Sequence, residues 1–115
     1  MTFEEFKLKI QTPYNDENCP IIKTLELLSG KWTTRVIYEL ERNEKFRFGE
    51  LKRALPTITN TMLSNTLKLL EEKNIVIRTQ FDEIPLRVEY SLSETGKSML
   101  KIYYEIALWG DKFLK

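Results

Sequence analysis

Apolar residues recur every three or four positions through most of the chain, which is the period of an amphipathic helix. The pattern predicts helices over residues 3–10, 20–28, 33–42, 59–73 and 94–114, with a shorter helix that holds Leu51 and Leu55. Pro20 suits a first helical turn, Thr59 and Ser93 are favourable N-cap residues, and Gly30 is expected to stop the second helix. Five helices therefore precede residue 75 and one follows residue 92.

Between residues 75 and 92 the period changes to two, which is typical of β-strands. Ile75, Ile77, Thr79 and Phe81 alternate with Val76, Arg78 and Gln80 before a turn at 82–85, and a second alternating run follows it. Two helices with a short turn, followed directly by a two-stranded ribbon, form a winged helix-turn-helix. The predicted fold class is mainly α with a small β-hairpin wing (α+β), in which the helix before the ribbon enters the DNA major groove.

Composition removes several classes of function. The chain has 115 residues, no His, a single Cys and a formal charge of +1. Without His, we expect neither a His-based catalytic triad nor a zinc site, and one Cys cannot form an internal disulfide. The N-terminal residues lack a signal-peptide core, and no apolar run approaches the roughly 18 residues of a membrane span. We therefore expect a single-domain cytoplasmic protein that is not an enzyme and has no cofactor or metal.

The helix over residues 59–73 carries the candidate base-reading residues. Its exposed face is predicted to present short polar side chains in the N-terminal half, namely Asn60, Thr61, Ser64, Asn65 and Lys68. Such side chains exchange hydrogen bonds with base edges, and Asn can pair with adenine through two bonds. No acidic residue occurs from 54 to 70, whereas a solvated helix face usually carries Glu and Lys. The alternative is a polar surface without a ligand.

Cations around that helix are candidate phosphate contacts. They are Lys31, Lys45, Arg47, Lys52, Arg53, Arg78 and Arg87, the last on the wing, where it would touch the backbone or the minor groove. Residues 42–90 hold nine cations and seven anions, whereas residues 1–41 hold five and seven. This modest asymmetry predicts salt-sensitive DNA binding. The near-neutral total favours the alternative, a winged-helix protein-interaction module that does not bind DNA.

Short motifs in order along the chain give it a resemblance to the HxlR-type regulators of bacteria, relatives of the MarR group. The matching segments are Cys19-Pro20, Ser29-Gly30-Lys31-Trp32, Arg47-Phe48-Gly49-Glu50-Leu51, Leu55-Pro56, Ile58-Thr59, Leu67-Lys68-Leu69-Leu70-Glu71, Pro85, Arg87-Val88-Glu89-Tyr90-Ser91-Leu92-Ser93, Gly96 and Trp109-Gly110. The resemblance implies a homodimeric repressor or activator that binds an inverted repeat near a promoter. It divides the chain into a dimerisation helix and loop (1–18), a DNA-binding core (19–92) with its wing (75–92), and a C-terminal dimerisation helix (93–115).

The pattern of the last helix agrees with a dimer. Its apolar residues cover more than one face, and a helix that is apolar nearly all round must be buried on two sides. The candidate interface residues are Phe3, Phe6, Ile10, Tyr103, Tyr104, Leu108, Trp109 and Phe113. The alternative is that these residues fill the core of one monomer.

Cys19 is the candidate redox switch. It lies at a helix N-terminus, where the helix dipole and free amides favour a thiolate, and Lys23 is one turn away, although Asp16 and Glu17 oppose the effect. Some members of the resembled family sense oxidants or electrophiles through a cysteine at this position. The alternative is a buried structural thiol, and a thiol enzyme is a remote third case. A rival switch is a small apolar or aromatic ligand, for which the candidate lining is Tyr14, Trp32, Tyr103, Tyr104 and Trp109.

Overall fold

The computed structural model describes residues 1–11 and 19–114, and these form six helices and one hairpin. The elements are α1 (Phe3–Ile10), α2 (Pro20–Leu28), α3 (Thr33–Arg42), α4 (Phe48–Ala54), α5 (Asn60–Glu72), β1 (Val76–Phe81), β2 (Arg87–Leu92) and α6 (Glu94–Phe113). The predicted element order is confirmed, as are the bounds of α1, α2 and α3. The loop predicted at 12–18 lies outside the described residues. The chain divides into two compact units, Met1–Gly30 and Lys31–Lys115.

The described part of the first unit consists of two short helices. Thr2 and Glu5 form a capping box on α1, because the amide of Glu5 donates to Thr2 Oγ1 at 3.1 Å and the amide of Thr2 donates to the Glu5 carboxylate at 3.4 Å. Neither α1 nor α2 contains a buried residue. As predicted, α2 stops before Gly30: its last residue is Leu28, its C-cap Ser29 is in right-handed conformation, and no described glycine has a positive φ.

The second unit is built around the contact between α3 and α5. Val36, Ile37 and Leu40 on α3 are buried together with Leu63, Leu67 and Leu70 on α5. Burial of one such side chain contributes roughly 1.5–3 kcal/mol. This stripe fixes which face of α5 points outward. Trp32 is also buried.

The wing is an antiparallel hairpin that is joined to the connector between α3 and α4. Val76 pairs with Leu92 at its base, and Phe81 pairs with Arg87 next to the turn. On the other edge of β2, Phe46 and Tyr90 exchange two backbone hydrogen bonds of 2.9 and 2.7 Å. The base of the wing is thus paired on both edges of β2.

The end of α5, the wing and the start of α6 meet at one junction. Asn74 has φ 59°, and the amide of Ile75 donates to the Leu70 carbonyl at 2.9 Å, which is a Schellman end to α5. The Ser93 hydroxyl donates to the Asn74 carbonyl at 2.7 Å and accepts from the amide of Gly96 at 3.0 Å, so it caps α6. The amide of Ser93 donates to the Ile75 carbonyl at 2.9 Å.

α6 is 20 residues long, and its buried residues, Gly96 and Met99, both lie in its first two turns. Exposed apolar side chains continue to its end. Among the described helices, none is long and apolar enough to cross a membrane.

Replacing Gly96 by Ala is expected to destabilise the fold. An added Cβ would overlap the Ile75 carbonyl oxygen and approach Leu92 Cδ2 to 3.0 Å. We expect the free energy of unfolding to fall by about 2 kcal/mol or more, measured by urea denaturation. Gly49→Ala is the matched control, since the nearest atom to its added Cβ is Arg53 Nη1 at 3.6 Å. Equal stability of the two variants would contradict the close approach at Gly96.

Candidate nucleic-acid interface

The helix-turn-helix is α4 and α5, and the turn between them is held by side chains of both helices. The Thr59 hydroxyl accepts from the amide of Met62 at 3.0 Å and so caps α5. The Lys52 ammonium donates to the Ile58 carbonyl at 2.9 Å, just before that cap. Thr57 has φ 74°, a conformation that is strained for a β-branched residue. Lys52 therefore helps to hold a strained turn that sets the direction of α5.

The predicted base-reading residues lie together on the outer side of α5. Asn60, Thr61, Asn65 and Lys68 are exposed, and Ser64 is half-buried at the margin. The opposite side is the buried stripe with Thr66, whose hydroxyl donates to the Met62 carbonyl at 2.7 Å. The exposed face therefore offers amide and hydroxyl groups, one ammonium group, and no carboxylate before Glu71.

Met62 is a candidate that the sequence reasoning missed. Met62 and Leu69 adjoin the buried stripe of α5, but Met62 is 44% exposed and Leu69 is 37% exposed. Met62 lies three residues before Asn65, so the two side chains are neighbours on the helix surface. An apolar group in this position can contact a thymine methyl group. Because Met62 adjoins Leu63 and Thr66 at the edge of the buried stripe, its position along the helix could have indicated that it is exposed.

The predicted phosphate-contacting cations differ in their exposure and in their contacts within the protein. Lys31, Lys45, Arg47, Arg53 and Arg78 are exposed. Lys52 is engaged with the Ile58 carbonyl, and Arg87 forms ion pairs with Glu83 and Glu89 at 3.0 and 3.2 Å. Besides Lys52 and Arg87, Lys45 lies 3.9 Å from the Glu89 carboxylate, Arg78 donates to Gln80 and Lys31 lies over the Trp32 ring. Contact of these seven cations with DNA stays a prediction.

The candidate dimer residues are mostly exposed. Phe3, Ile10, Tyr104, Leu108, Trp109 and Phe113 are each more than 45% exposed, and Phe6 is half-buried. The rings of Trp109 and Phe113 form a tilted pair with centroids 5.2 Å apart. Tyr103 differs, since its hydroxyl hydrogen-bonds to Thr34 Oγ1 at 3.3 Å. Burial and the negative charge of Glu41 raise the pKa of Tyr103, although the Thr34 bond opposes them. Tyr103 is therefore a neutral hydroxyl that joins α6 to α3.

The candidate sensor and the candidate ligand cleft are separate features. Cys19 is the N-cap of α2 and is half-buried, and its side chain makes no capping hydrogen bond. A cleft of about 280 Å³ lies between α3 and the end of α4, with Trp32, Arg35 and Leu55 among its lining. Tyr103, Tyr104 and Trp109 do not line this cleft, and Tyr14 lies outside the described residues. In the described part of the chain, no group of three or more acidic or cysteine side chains is placed to hold a metal.

Comparison with known proteins identifies a family that matches this chain. The model of the HxlR-like helix-turn-helix family matches residues 27–115. The chain is 44% identical over 94 residues to the HTH-type transcriptional regulator YdzF of Bacillus subtilis, covering 82% of this chain and 86% of that protein.

Solved structures agree with the family match. A MarR-family regulator from Porphyromonas gingivalis W83 aligns with a TM-score of 0.76 and 41% identity, over 89% of this chain and 99% of that one. The reduced form of the transcriptional regulator YodB from B. subtilis aligns with a TM-score of 0.76 and 33% identity, over 83% and 93%. The chain therefore belongs to the HxlR-like helix-turn-helix family of transcriptional regulators.

Proposed function

We propose that this regulator binds an inverted-repeat DNA operator as a homodimer, in the cytoplasm, and reads bases with the N-terminal half of α5. The observation that carries the proposal is the exposed face of α5. It has hydrogen-bonding groups at Asn60, Thr61, Asn65 and Lys68 and no acidic residue near them. Phosphate groups would repel carboxylates on such a face, whereas amides and hydroxyls exchange hydrogen bonds with base edges.

The backbone contacts in this proposal come from cations on either side of that face. Arg47 and Arg53 lie at the two ends of α4, Lys31 lies before α3, and Arg78 lies on β1. Because the chain is close to neutral overall, the salt dependence of binding should reflect a few local contacts. A protein-interaction module that does not bind DNA would show no such dependence.

Replacing Asn65 by Ala is expected to weaken binding to the operator and to relax its specificity. The test uses purified reduced protein, a fluorescent duplex from upstream of its own gene, a scrambled duplex and a salt series. We expect the wild type to bind the first duplex selectively with two protomers per site, and Asn65→Ala to cost about 1–3 kcal/mol at one base position.

Glu72→Ala is the matched control for Asn65→Ala, because Glu72 is exposed near the far end of the same helix. This control variant should leave the ratio of the affinities for the selective and the scrambled duplex unchanged. Equal losses on both duplexes for Asn65→Ala would remove its base-reading role. Failure of the wild type to bind either duplex at low salt would favour the protein-interaction alternative.

Unburied apolar surface supports the homodimer. No residue of α1 or α2 is buried, and helices of eight or nine residues are marginally stable without packing. On α6 the exposed apolar side chains extend from Leu100 to Leu114. A second copy would remove this surface from water, and a two-fold axis would place two α5 helices about 34–36 Å apart, one turn of DNA.

Replacing Leu108 by Asp is expected to give monomers. Leu108 is 48% exposed beside the aromatic pair, and the two-fold axis would bury two carboxylates in each dimer. We expect the dissociation constant to rise at least about hundredfold, measured by sedimentation equilibrium. Ile84→Asp alters a fully exposed apolar residue on the wing and should leave the dimer intact. A dimeric Leu108→Asp variant would place the interface elsewhere.

Thiol regulation through Cys19 is the second part of the proposal. The solved structures of YodB include reduced, diamide-treated and quinone-bound forms, and the redox regulator HypR has oxidised and reduced forms. Here Cys19 is the only cysteine, and its side chain is partly accessible at a helix N-terminus. With diamide, two Cys19 thiols would lose two protons and two electrons to the azo group and form a disulfide between subunits. With a quinone, one thiolate would add to the ring.

Oxidation is therefore expected to change operator binding only when Cys19 is present. Diamide treatment should give a dimer that is covalent on a non-reducing gel, should shift the affinity for the selective duplex, and should be reversed by dithiothreitol. Cys19→Ser should bind as the reduced wild type does, with and without diamide. An equal response of both proteins to diamide would exclude Cys19 as the switch.

A further inference from the structure

The two arginines of the wing have different surroundings. Arg78 is exposed, and its guanidinium donates to the neutral amide oxygen of Gln80 at 3.2 Å. The Arg87 side chain is 28% exposed, and its guanidinium lies 3.8 Å from the centre of the Phe81 ring. It also forms ion pairs with Glu83 at 3.0 Å and Glu89 at 3.2 Å. Arg87 is thus enclosed by an aromatic ring and two carboxylates.

This enclosure leaves Arg87 little positive charge to offer a phosphate group. The wing, residues 75–92, contains two arginines against three carboxylates. The Glu89 side chain is only 15% exposed and lies 3.9 Å from the Lys45 ammonium as well. A phosphate approaching Arg87 would meet Glu83 and Glu89, and freeing the guanidinium would break ion pairs that are partly removed from water.

The same contacts place Arg87 where it determines the shape of the wing. Phe81 and Arg87 are the last pair of the strand ladder before the turn, so the stacked guanidinium joins the two strands. Glu83 lies in the turn itself. Glu89 contacts the ammonium group of Lys45, which lies in the connector before α4. The planar guanidinium therefore links both strands, the turn and the base of the wing.

We propose that Arg87 is a positioning residue for operator binding: it fixes the conformation of the wing and does not neutralise a phosphate. The inference rests on the proposed function for its effect on DNA. The wing geometry can be tested without DNA.

The binding test compares Arg87→Gln, Phe81→Leu and the double variant with the wild type on the selective duplex over a salt series. We expect each single variant to bind about tenfold more weakly with an unchanged salt slope, and the double variant to bind no more weakly than either. Arg87→Lys, which keeps the charge but not the planar stacking group, should not restore binding. Arg78→Gln is the matched cation control and should reduce the salt slope by about 0.9.

The positioning role would be overturned by a salt slope that falls by about 0.9 in Arg87→Gln while Phe81→Leu binds normally, or by full rescue with Lys. Thermal unfolding of each variant verifies that it is folded. Amide hydrogen exchange of the wing, measured without DNA, should be faster in Arg87→Gln than in the wild type, and equal exchange would also overturn the proposal. If the wild type bound no duplex, only the proposed function would be overturned. The exchange comparison needs no DNA, so it would still test whether Arg87 fixes the conformation of the wing.

Discussion

The carbonyl groups of Asn74 and Ile75 are the point at which α5, the wing and α6 are joined. Ser93 binds both through its hydroxyl and its amide, and Gly96 lets α6 approach the Ile75 carbonyl closely. Buried polar groups of this kind must be paired, because an unpaired one costs about 1–3 kcal/mol. The three functional elements therefore share one set of hydrogen bonds. In a dimer made through α6, this junction would set the separation of the two α5 helices.

Most of the fold follows from hydrophobic period and from a few cap residues. Thr59 and Ser93 were predictable caps, because a hydroxyl before an apolar stripe satisfies free amides at a helix start. The change to period two after Asn74 was enough to predict the wing. Gly30 follows the end of α2 as expected, but a glycine there permits a left-handed cap without requiring one, and Ser29 closes the helix in right-handed conformation.

The candidate site residues were predictable from the sequence where the helical period alone determines their exposure. They were not predictable where tertiary contacts determine whether a side chain is free. Asn65 and Lys68 lie opposite the stripe, so their exposure followed from the helical period. Met62 lies at the margin of the stripe, where a small rotation of α5 decides whether it is buried. The engagement of Lys52 depends on the path of the strained turn at Thr57, and that of Arg87 depends on the strand register that places it opposite Phe81. No local pattern in the sequence predicts the contacts of Lys52 and Arg87.

These contacts also explain how a nearly neutral chain is suited to selective binding. Affinity for any duplex comes mainly from Lys and Arg side chains that neutralise phosphates and release the counterions condensed on DNA, and such binding does not discriminate between sequences. In this chain Lys52 and Arg87 are already used to shape the turn and the wing, which lowers the number of free cations. Under the proposed function, hydrogen bonds to bases would then supply a larger share of the binding free energy. Because those bonds require the correct sequence, a low net charge with Lys52 and Arg87 already engaged favours discrimination over tight binding to random DNA.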